Sequence, residues 1–309
     1  MKKILITGGS GFVGKYLVAR FLSENYFVTG IGTSLHHPLE IDSGQKSGQK
    51  FENFKWISAD TTKEGAWQDH VATADVVINL AGRNIFKPWT KKYKQAIYDS
   101  RILTTKHLVA AMEKGAPKKL LNASAVGYYG DCGEATLSET DSAGSDFLAM
   151  VCRDWESQAL EAINKDVRVC LIRFGVVLGN EGALSVMTPA FKWFAGGPLG
   201  SGRQWFAWIH IHDLYRGIKL LMDGADLEGP FNFTGPELVR QKEFATQLGR
   251  ALNRPAILPL PAFMVKLIMG DLGSSLLQSQ RAMPQRLTEL GFEFEFKSPG
   301  AALAHIFEK

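Results

Sequence analysis

The apolar run Ile4, Leu5 and Ile6 passes directly into glycines at positions 8, 11 and 14, and then into residues whose apolar positions recur at helical spacing. Val13, Leu17 and Phe21 form one row of that helix, with Val18 and Leu22 beside it. Short runs that are apolar throughout read as strands buried on both faces of a parallel sheet, whereas recurrence every three or four residues reads as a helix with one face in the core. The alternation continues along the chain. Residues 26–31, 54–60 and 74–82 read as the second, third and fourth strands, residues 89–112 as a helix, residues 119–123 as the fifth strand and residues 169–175 as the sixth. Strands and helices alternating in this way predict an α/β fold, a Rossmann-type doubly wound parallel sheet that gathers its ligands at the carboxyl ends of the strands. Residues 1–175 form the first domain on this reading, and residues 176–309 form mainly a smaller C-terminal lobe, with a strand near residues 230–235 returning to the sheet. From Gln241 onward, amphipathic helices and a linker from Pro255 to Pro261 build a cap. The polar stretch 39–53 predicts a mobile excursion.

The glycine turn carries the first chemistry. Glycines at this spacing, between a buried strand and a helix, suit a dinucleotide cradle: one makes the tight turn, one admits backbone N–H groups to a pyrophosphate, and one lets helix and strand pack closely. The helix then offers its unpaired donors and positive dipole end to the phosphates. Thr7, Gly8, Gly11, Phe12, Val13 and Gly14 are the residues expected to line this cradle. The end of the second strand reads the adenosine ribose, and an acid there selects NAD. Here Gly32, Thr33 and Ser34 are followed by His36 and His37, and the first carboxylate is Glu40. A ribose phosphate meets hydroxyls and imidazoles there, so NADP(H) is expected ahead of NAD(H). Asp60 is placed to accept from an adenine amino group, or to cap the next helix. Leu80, Ala81 and Gly82 let the backbone lie against a flat ligand.

Composition narrows the class. The chain has 309 residues, 45% of them hydrophobic, and a formal net charge of only +4. Dispersed lysines and arginines with so small an excess give no nucleic-acid surface. Cys132, Cys152 and Cys170 follow no metal or disulfide spacing, which suits a reducing cytoplasm. Neither a signal-peptide core nor a membrane-spanning stretch is expected, so the partner is a small-molecule substrate and not a membrane; nothing in the sequence bears on oligomeric state.

Thr7 to Gly14, Asp60 and residues 79–82 resemble the extended or atypical short-chain dehydrogenase/reductase superfamily. Further matches lie at Trp89, Ser100, Arg101, residues 124–130, Trp155, Glu156, residues 196–205 and residues 208–213. These resemble its atypical "epimerase family" group, similar to NAD-dependent epimerases and dehydratases, and the stretch from Arg254 through Pro284 to Phe294 resembles that group's small extra C-terminal domain. The resemblance implies a catalytic serine at Ser124, which has the usual separation from Tyr128; counted from Tyr129 the position is Ala125. It also implies a Tyr-x-x-x-Lys pair on one helix face, where the lysine cation lowers the tyrosine pKa. Anchored on Glu156, those two positions hold Leu148 and Cys152. Neither residue can take the place of the one it replaces. Tyr128 then stands as acid or base, with Ser124 polarising a carbonyl and Arg153 supplying a cation; otherwise the tyrosines form an aromatic floor. Arg101 points at the cofactor phosphates or a substrate anion, or else packs the helix.

Beyond the sixth strand, Arg203, Gln204 and Trp205 follow Gly200 and Gly202. A cation, an amide and an indole on a flexible loop suit an anionic or sugar-like ligand. His210 and His212 alternate with Ile209 and Ile211 and are expected on one face of a strand. No third metal ligand is visible unless Asp213 joins, and the resemblance makes this segment structural, so no metal is expected. Together these features predict an NADP(H)-binding oxidoreductase or epimerase-like protein acting on a nucleotide-sugar-like substrate. The alternative, prompted by Leu148 and Cys152, is a non-catalytic dinucleotide-binding regulator or scaffold linked to cell division.

Overall fold

The computed structural model of the chain describes residues 1–38 and 52–308. Apart from its last two residues, the excursion expected at 39–53 lies outside them. Seven strands pair in parallel: β1 (Lys3–Thr7), β2 (Phe27–Gly32), β3 (Phe54–Ser58), β4 (Val76–Asn79), β5 (Lys119–Ala125), β6 (Arg168–Phe174) and β7 (Gly229–Phe233). Their order in space is β7-β6-β5-β4-β1-β2-β3, so the winding reverses between β1 and β4. That switch point is where such sheets bind ligands. Helix α1 (Phe12–Ser23) leads from β1 to β2, α2 (Lys91–Ala110) from β4 to β5, and α3 (Phe147–Leu160) from β5 to β6.

Side chains alternate between faces along each strand, and the core divides accordingly. Ile4, Ile6, Val76, Ile78, Leu121 and Ile172 meet Leu17 and Phe21 of α1 on one face. Leu5, Val77, Leu120, Val169 and Leu171 meet Leu108 of α2 and Ala159 of α3 on the other. With helices on both sides, the strands have no solvent face, which is why they read as continuous apolar runs.

Between β6 and β7 lie α4 (Ala183–Lys192) and α5 (Ile211–Asp223); after β7 come α6 (Gln241–Ala251), α7 (Ala262–Leu276), α8 (Gln285–Glu289) and α9 (Pro299–Phe307). A separate core around Trp208, Phe244, Leu248, Phe296 and Leu303 builds the C-terminal lobe. The returning strand is β7, with Phe231 beside Ile172 and Phe233 beside Phe174. Helix α5 returns as well, laying Leu214, Ile218 and Leu221 on the α1 face of the sheet.

Two local expectations change. The helix expected at 89–112 begins at Lys91, because Thr90 accepts the Tyr93 N–H at 3.1 Å as its cap. Trp89 is left outside, its ring 5.3 Å from that of Phe147. The two histidines do not share a strand face, because the strand Trp208–His210 ends where α5 begins. His210 Nδ1 accepts the His212 N–H as the helix cap, while the His212 ring turns to Tyr16 and Glu295. Asp213, 1% exposed, accepts the N–H groups of Glu295 and Phe296, each at 2.9 Å, and so ties the helix start to the C-terminal stretch. Among the described residues no group of three or more His, Cys, Asp or Glu side chains is placed to hold a metal.

Candidate functional site

Gly8 has φ +70°, and a Cβ on it would stand 2.8 Å from the Leu80 carbonyl oxygen. On Gly14 a Cβ would come within 2.2 Å of the Gly8 carbonyl oxygen, so α1 meets the turn only because this residue is glycine. Gly11 differs: its Cβ position meets Gly8 O alone, at 3.2 Å, and otherwise faces open space. Gly11 is also the N-cap of α1, with no side-chain cap and no acid in the first turn. The first amides of α1 therefore stand ready for an anion. The side chains of Thr7 and Phe12 turn away from the glycine turn. Thr7 Oγ1 donates to Asn79 Oδ1 at 2.5 Å, and the Phe12 ring fills the space against Gly179 and Gly182. Val13 packs against the core.

At the end of β2, Thr33 is exposed, while Ser34 Oγ is buried with no hydrogen-bond partner among the described residues. Trp56 Nε1 donates to the Ser34 carbonyl at 3.1 Å. His37 does not face the ribose site: it is buried between Phe54 and Trp56, with Nε2 3.0 Å from the Gly9 carbonyl. A carbonyl only accepts, so Nε2 carries the hydrogen and pins the loop to the glycine turn. Residues 33–38 hold no carboxylate. Asp60 Oδ1 accepts from both the amide and the hydroxyl of Thr62, which holds its carboxyl below the usual range. Its Oδ2 has no partner among the described residues.

The end of β4 is held by a buried polar chain. Asn79 Nδ2 donates to Thr105 Oγ1 at 2.8 Å and to Asn122 Oδ1 at 2.6 Å, and Trp155 Nε1 donates to the same Thr105 oxygen at 2.9 Å. Leu80, Ala81 and Gly82 leave this anchored end, and the next peptide is bracketed from α2. Ser100 Oγ accepts the Arg83 N–H at 2.9 Å, and the Arg101 guanidinium donates to the Arg83 carbonyl at 3.3 Å.

Ser124, next to last in β5 and 2% exposed, donates its hydrogen to Glu156 Oε1 at 2.6 Å. That hydrogen is not aimed at a substrate carbonyl, so the serine oxygen offers lone pairs instead. Glu156 is also gripped by Arg173, Nε and Nη2 each donating at 2.8 Å. The ion pair is 3% and 5% exposed on its two sides. Burial works against the guanidinium charge, and the Glu156 carboxylate more than restores it.

The two tyrosines part company here. Tyr129 is buried, its hydroxyl within reach of Asn232 Oδ1, Ser138 O and Arg173 Nη1, and burial pushes its pKa up to about 12. Tyr128 is only half buried, lies with its ring 3.6 Å from Arg173 Cζ, and has no hydrogen-bond partner for its hydroxyl among the described residues. Arg153 is not brought to this cluster. It is exposed and paired with Asp154 at 3.1 Å, so the cation beside Tyr128 is Arg173. Cys152 is buried near Ser124 and the Ala125 amide, and desolvation raises its thiol pKa to about 11.

On the substrate side, Gln204 is buried and donates to the Leu199 carbonyl at 3.1 Å, so it shapes the loop from within. Trp205 lies between Arg240 and Arg281, its centroid 3.8 and 4.5 Å from the two guanidinium carbons, and its Nε1 donates to Glu134 at 3.2 Å. Arg203 is exposed, and among the described residues its guanidinium has no hydrogen-bond partner. Roles for Arg173, Arg240 and Arg281 went unread in the sequence. For Arg173 the available signal was an arginine inside an apolar strand, which demands a buried acid from a neighbouring element; Arg240 and Arg281 carried none.

The match to known proteins covers nearly the whole chain. Residues 4–234 match the model of the NAD dependent epimerase/dehydratase family, and residues 260–306 match a domain of unknown function, DUF1731. The epimerase family protein SDR39U1 homolog, chloroplastic, of Arabidopsis thaliana is 40% identical over 310 residues, spanning 99% of this chain and 86% of the relative. The epimerase family protein YfhF of Bacillus subtilis is 36% identical, spanning 98% and 97%. Among solved structures, human epimerase family protein SDR39U1 (isoform 2) with NADPH superposes with a TM-score of 0.83 at 28% identity, over 99% of both chains. The UDP-glucuronic acid 4-epimerase of Bacillus cereus in complex with NAD shares the fold, with a TM-score of 0.79 at 18% identity over 99% of this chain and 97% of that one. By the residues matched and by these relatives, the chain belongs to the NAD-dependent epimerase/dehydratase family.

Proposed function

We propose that the protein binds NADP(H) in the glycine cradle, with NAD(H) second, and acts as an oxidoreductase or epimerase-like enzyme on a small anionic, nucleotide-sugar-like molecule. The cradle fits a dinucleotide: Gly11 opens where a side chain would block a phosphate, and α1 begins with uncapped amides. Thr33, exposed at the end of β2, and the lack of a carboxylate over residues 33–38 favour a ribose phosphate, and the similar human protein was crystallised with NADPH. The observation that carries the catalytic part is Tyr128, its hydroxyl without a partner among the described residues, stacked on Arg173 beside Ser124 at the carboxyl edge of the sheet.

When bound, the dinucleotide supplies or receives a hydride at its nicotinamide ring. Tyr128 donates the proton to the substrate oxygen when a carbonyl is reduced. Ser124, its own hydrogen held by Glu156, accepts from the hydroxyl so formed and orients it. Arg173 holds the Glu156 carboxylate in place through two N–H donors and supports the Tyr128 ring. Arg203, with its uncommitted guanidinium, binds the anionic end of the substrate. Leu148 and Cys152 contribute neither proton nor charge.

Titrating purified protein with NADPH and NADH by fluorescence tests the cofactor reading, and equal affinity for the two overturns the preference. Following NADPH oxidation against sugar nucleotides, quinones and aldehydes tests the chemistry. Leu148 and Cys152 favour a second reading, a cofactor-binding regulator or scaffold, which tight NADPH binding without turnover across that panel supports. Three free cysteines fit a reducing, cytoplasmic setting, and no helix among the described residues is long and apolar enough to cross a membrane.

A further inference from the structure

Arg101 carries a charge that its surroundings do not balance. Its guanidinium lies against the Cα of Gly82, where an added Cβ would stand 2.9 Å from Arg101 Cζ, so the glycine at the end of β4 makes room for it. On its other side is the Trp155 ring, with the centroid 5.2 Å away, and Cys152 lies within electrostatic reach. Among the described residues its hydrogen bonds go to carbonyls: Nη1 to Ile97 O and Arg83 O, and Nη2 to Arg83 O. The Nε hydrogen and one Nη2 hydrogen are uncommitted, and Arg101 forms no ion pair among the described residues. A half-buried cation held by carbonyls alone leaves donors that an oxygen-rich anion can satisfy.

Its position says which anion. The cradle fixes the pyrophosphate at α1, and the adenosine half runs toward the ends of β2 and β3, where Ser34 and Asp60 lie. The nicotinamide half then runs the other way, over the ends of β4 and β5. Arg101 borders that half: it lies against Gly82 at the end of β4 and within electrostatic reach of Cys152, whose own neighbours are Ser124 and the Ala125 amide. We propose that Arg101 is the positioning residue for the nicotinamide half of the dinucleotide. Its uncommitted N–H groups donate to the ribose and phosphate oxygens of that half, so α2 supplies the cation that Cys152, on α3, lacks. The nicotinamide ring is thereby held against Ser124 and Tyr128. This rests on the proposed NADP(H) reading.

The test compares two ligands on the full-length protein: NADPH, which has both halves, and 2′,5′-ADP, which has only the adenosine half. Failure of wild-type protein to bind either ligand would count against the cofactor reading itself. With wild-type binding in hand, Arg101→Met is expected to weaken NADPH by about tenfold or more, while 2′,5′-ADP affinity changes less than about twofold. Adding Cys152→Lys to that variant is expected to recover a large part of the NADPH affinity, because the new ammonium enters the same space. Retained NADPH affinity in Arg101→Met overturns the proposal. So does an equal loss for both ligands, which would make Arg101 only a brace for the Arg83 peptide. A third overturning result is a loss that Cys152→Lys leaves untouched while 2′,5′-ADP still binds normally; Arg101→Lys, which keeps a charge on α2, should then also behave like Arg101→Met.

Discussion

At the scale of single residues, the glycines divide into those that shape the protein and one that shapes the site. A Cβ at position 14 collides with the Gly8 carbonyl at 2.2 Å, so Gly14→Ala is expected to destabilise the fold by about 1–3 kcal/mol, measured by urea unfolding. A Cβ on Gly11 would meet Gly8 O at 3.2 Å, a far milder contact, so Gly11→Asp is expected to cost less stability than Gly14→Ala and to abolish NADPH binding, because its carboxylate would stand where the phosphates go. Undiminished affinity in a fluorescence titration would refute the cradle. His210 gives a pH signature. It is 2% exposed, and burial, with His305 and His212 nearby, lowers its pKa from 6.5 to about 3. Between those values the unfolded chain takes up the proton and the folded chain does not. Stability should therefore fall as pH drops from about 6.5 toward 3, with this residue contributing a slope of up to about 1.4 kcal/mol per pH unit. His210→Asn keeps a helix cap without a titrating ring, and a stability profile as steep as that of wild type would rule the residue out. Glycine spacing was legible in the sequence because each glycine answers a local steric demand. The fates of His37, Gln204 and Arg153 were not, because whether a polar side chain turns inward depends on partners remote in sequence.

At the scale of elements, the site is assembled where β5, β6 and α3 meet. Arg173 on β6 and Glu156 on α3 form a two-point ion pair that also fixes the Ser124 hydroxyl at the end of β5. Removing one partner strands the other charge, so Arg173→Met is expected to cost about 3–5 kcal/mol, as is Glu156→Leu. The double variant should recover much of that loss, since two apolar groups replace a desolvated pair. A thermal-unfolding double-mutant cycle showing additive losses would mean that the pair is not coupled. The strands themselves were readable from the apolar runs to within about three residues at each end, as expected when both sheet faces are covered. Reading the histidines as a continued strand failed for a local reason: period-two alternation over residues 208–213 spans a strand end and a helix start, and the cap that separates them is a histidine ring, outside the usual Ser, Thr, Asp and Asn signals.

At the scale of the whole molecule, the sheet and the C-terminal lobe are joined through buried contacts and not only through the chain. Leu287 and Phe294 sit in the sheet-face core, while Phe296, Ala302 and Leu303 sit in the lobe core. Asp213 at the start of α5 relies on the Glu295 and Phe296 amides, and Glu139 Oε1, which accepts the Asn232 N–H on β7, also accepts the Arg286 N–H. Ending the chain after Pro259 would strip apolar partners from two cores and leave Asp213 buried without the amides that satisfy it. The shortened chain is therefore expected to lose cooperative folding, while the full chain unfolds in urea as one transition, with coincident far-ultraviolet circular dichroism and tryptophan fluorescence. Saturating NADPH should move that transition as a unit, adding about 2.7 kcal/mol at a hundredfold excess over its dissociation constant. Two separate transitions, with only the first-unfolding or only the last-unfolding segment responding to NADPH, would show that the lobe is an independent attachment and that the site between β5 and the lobe is not held by both.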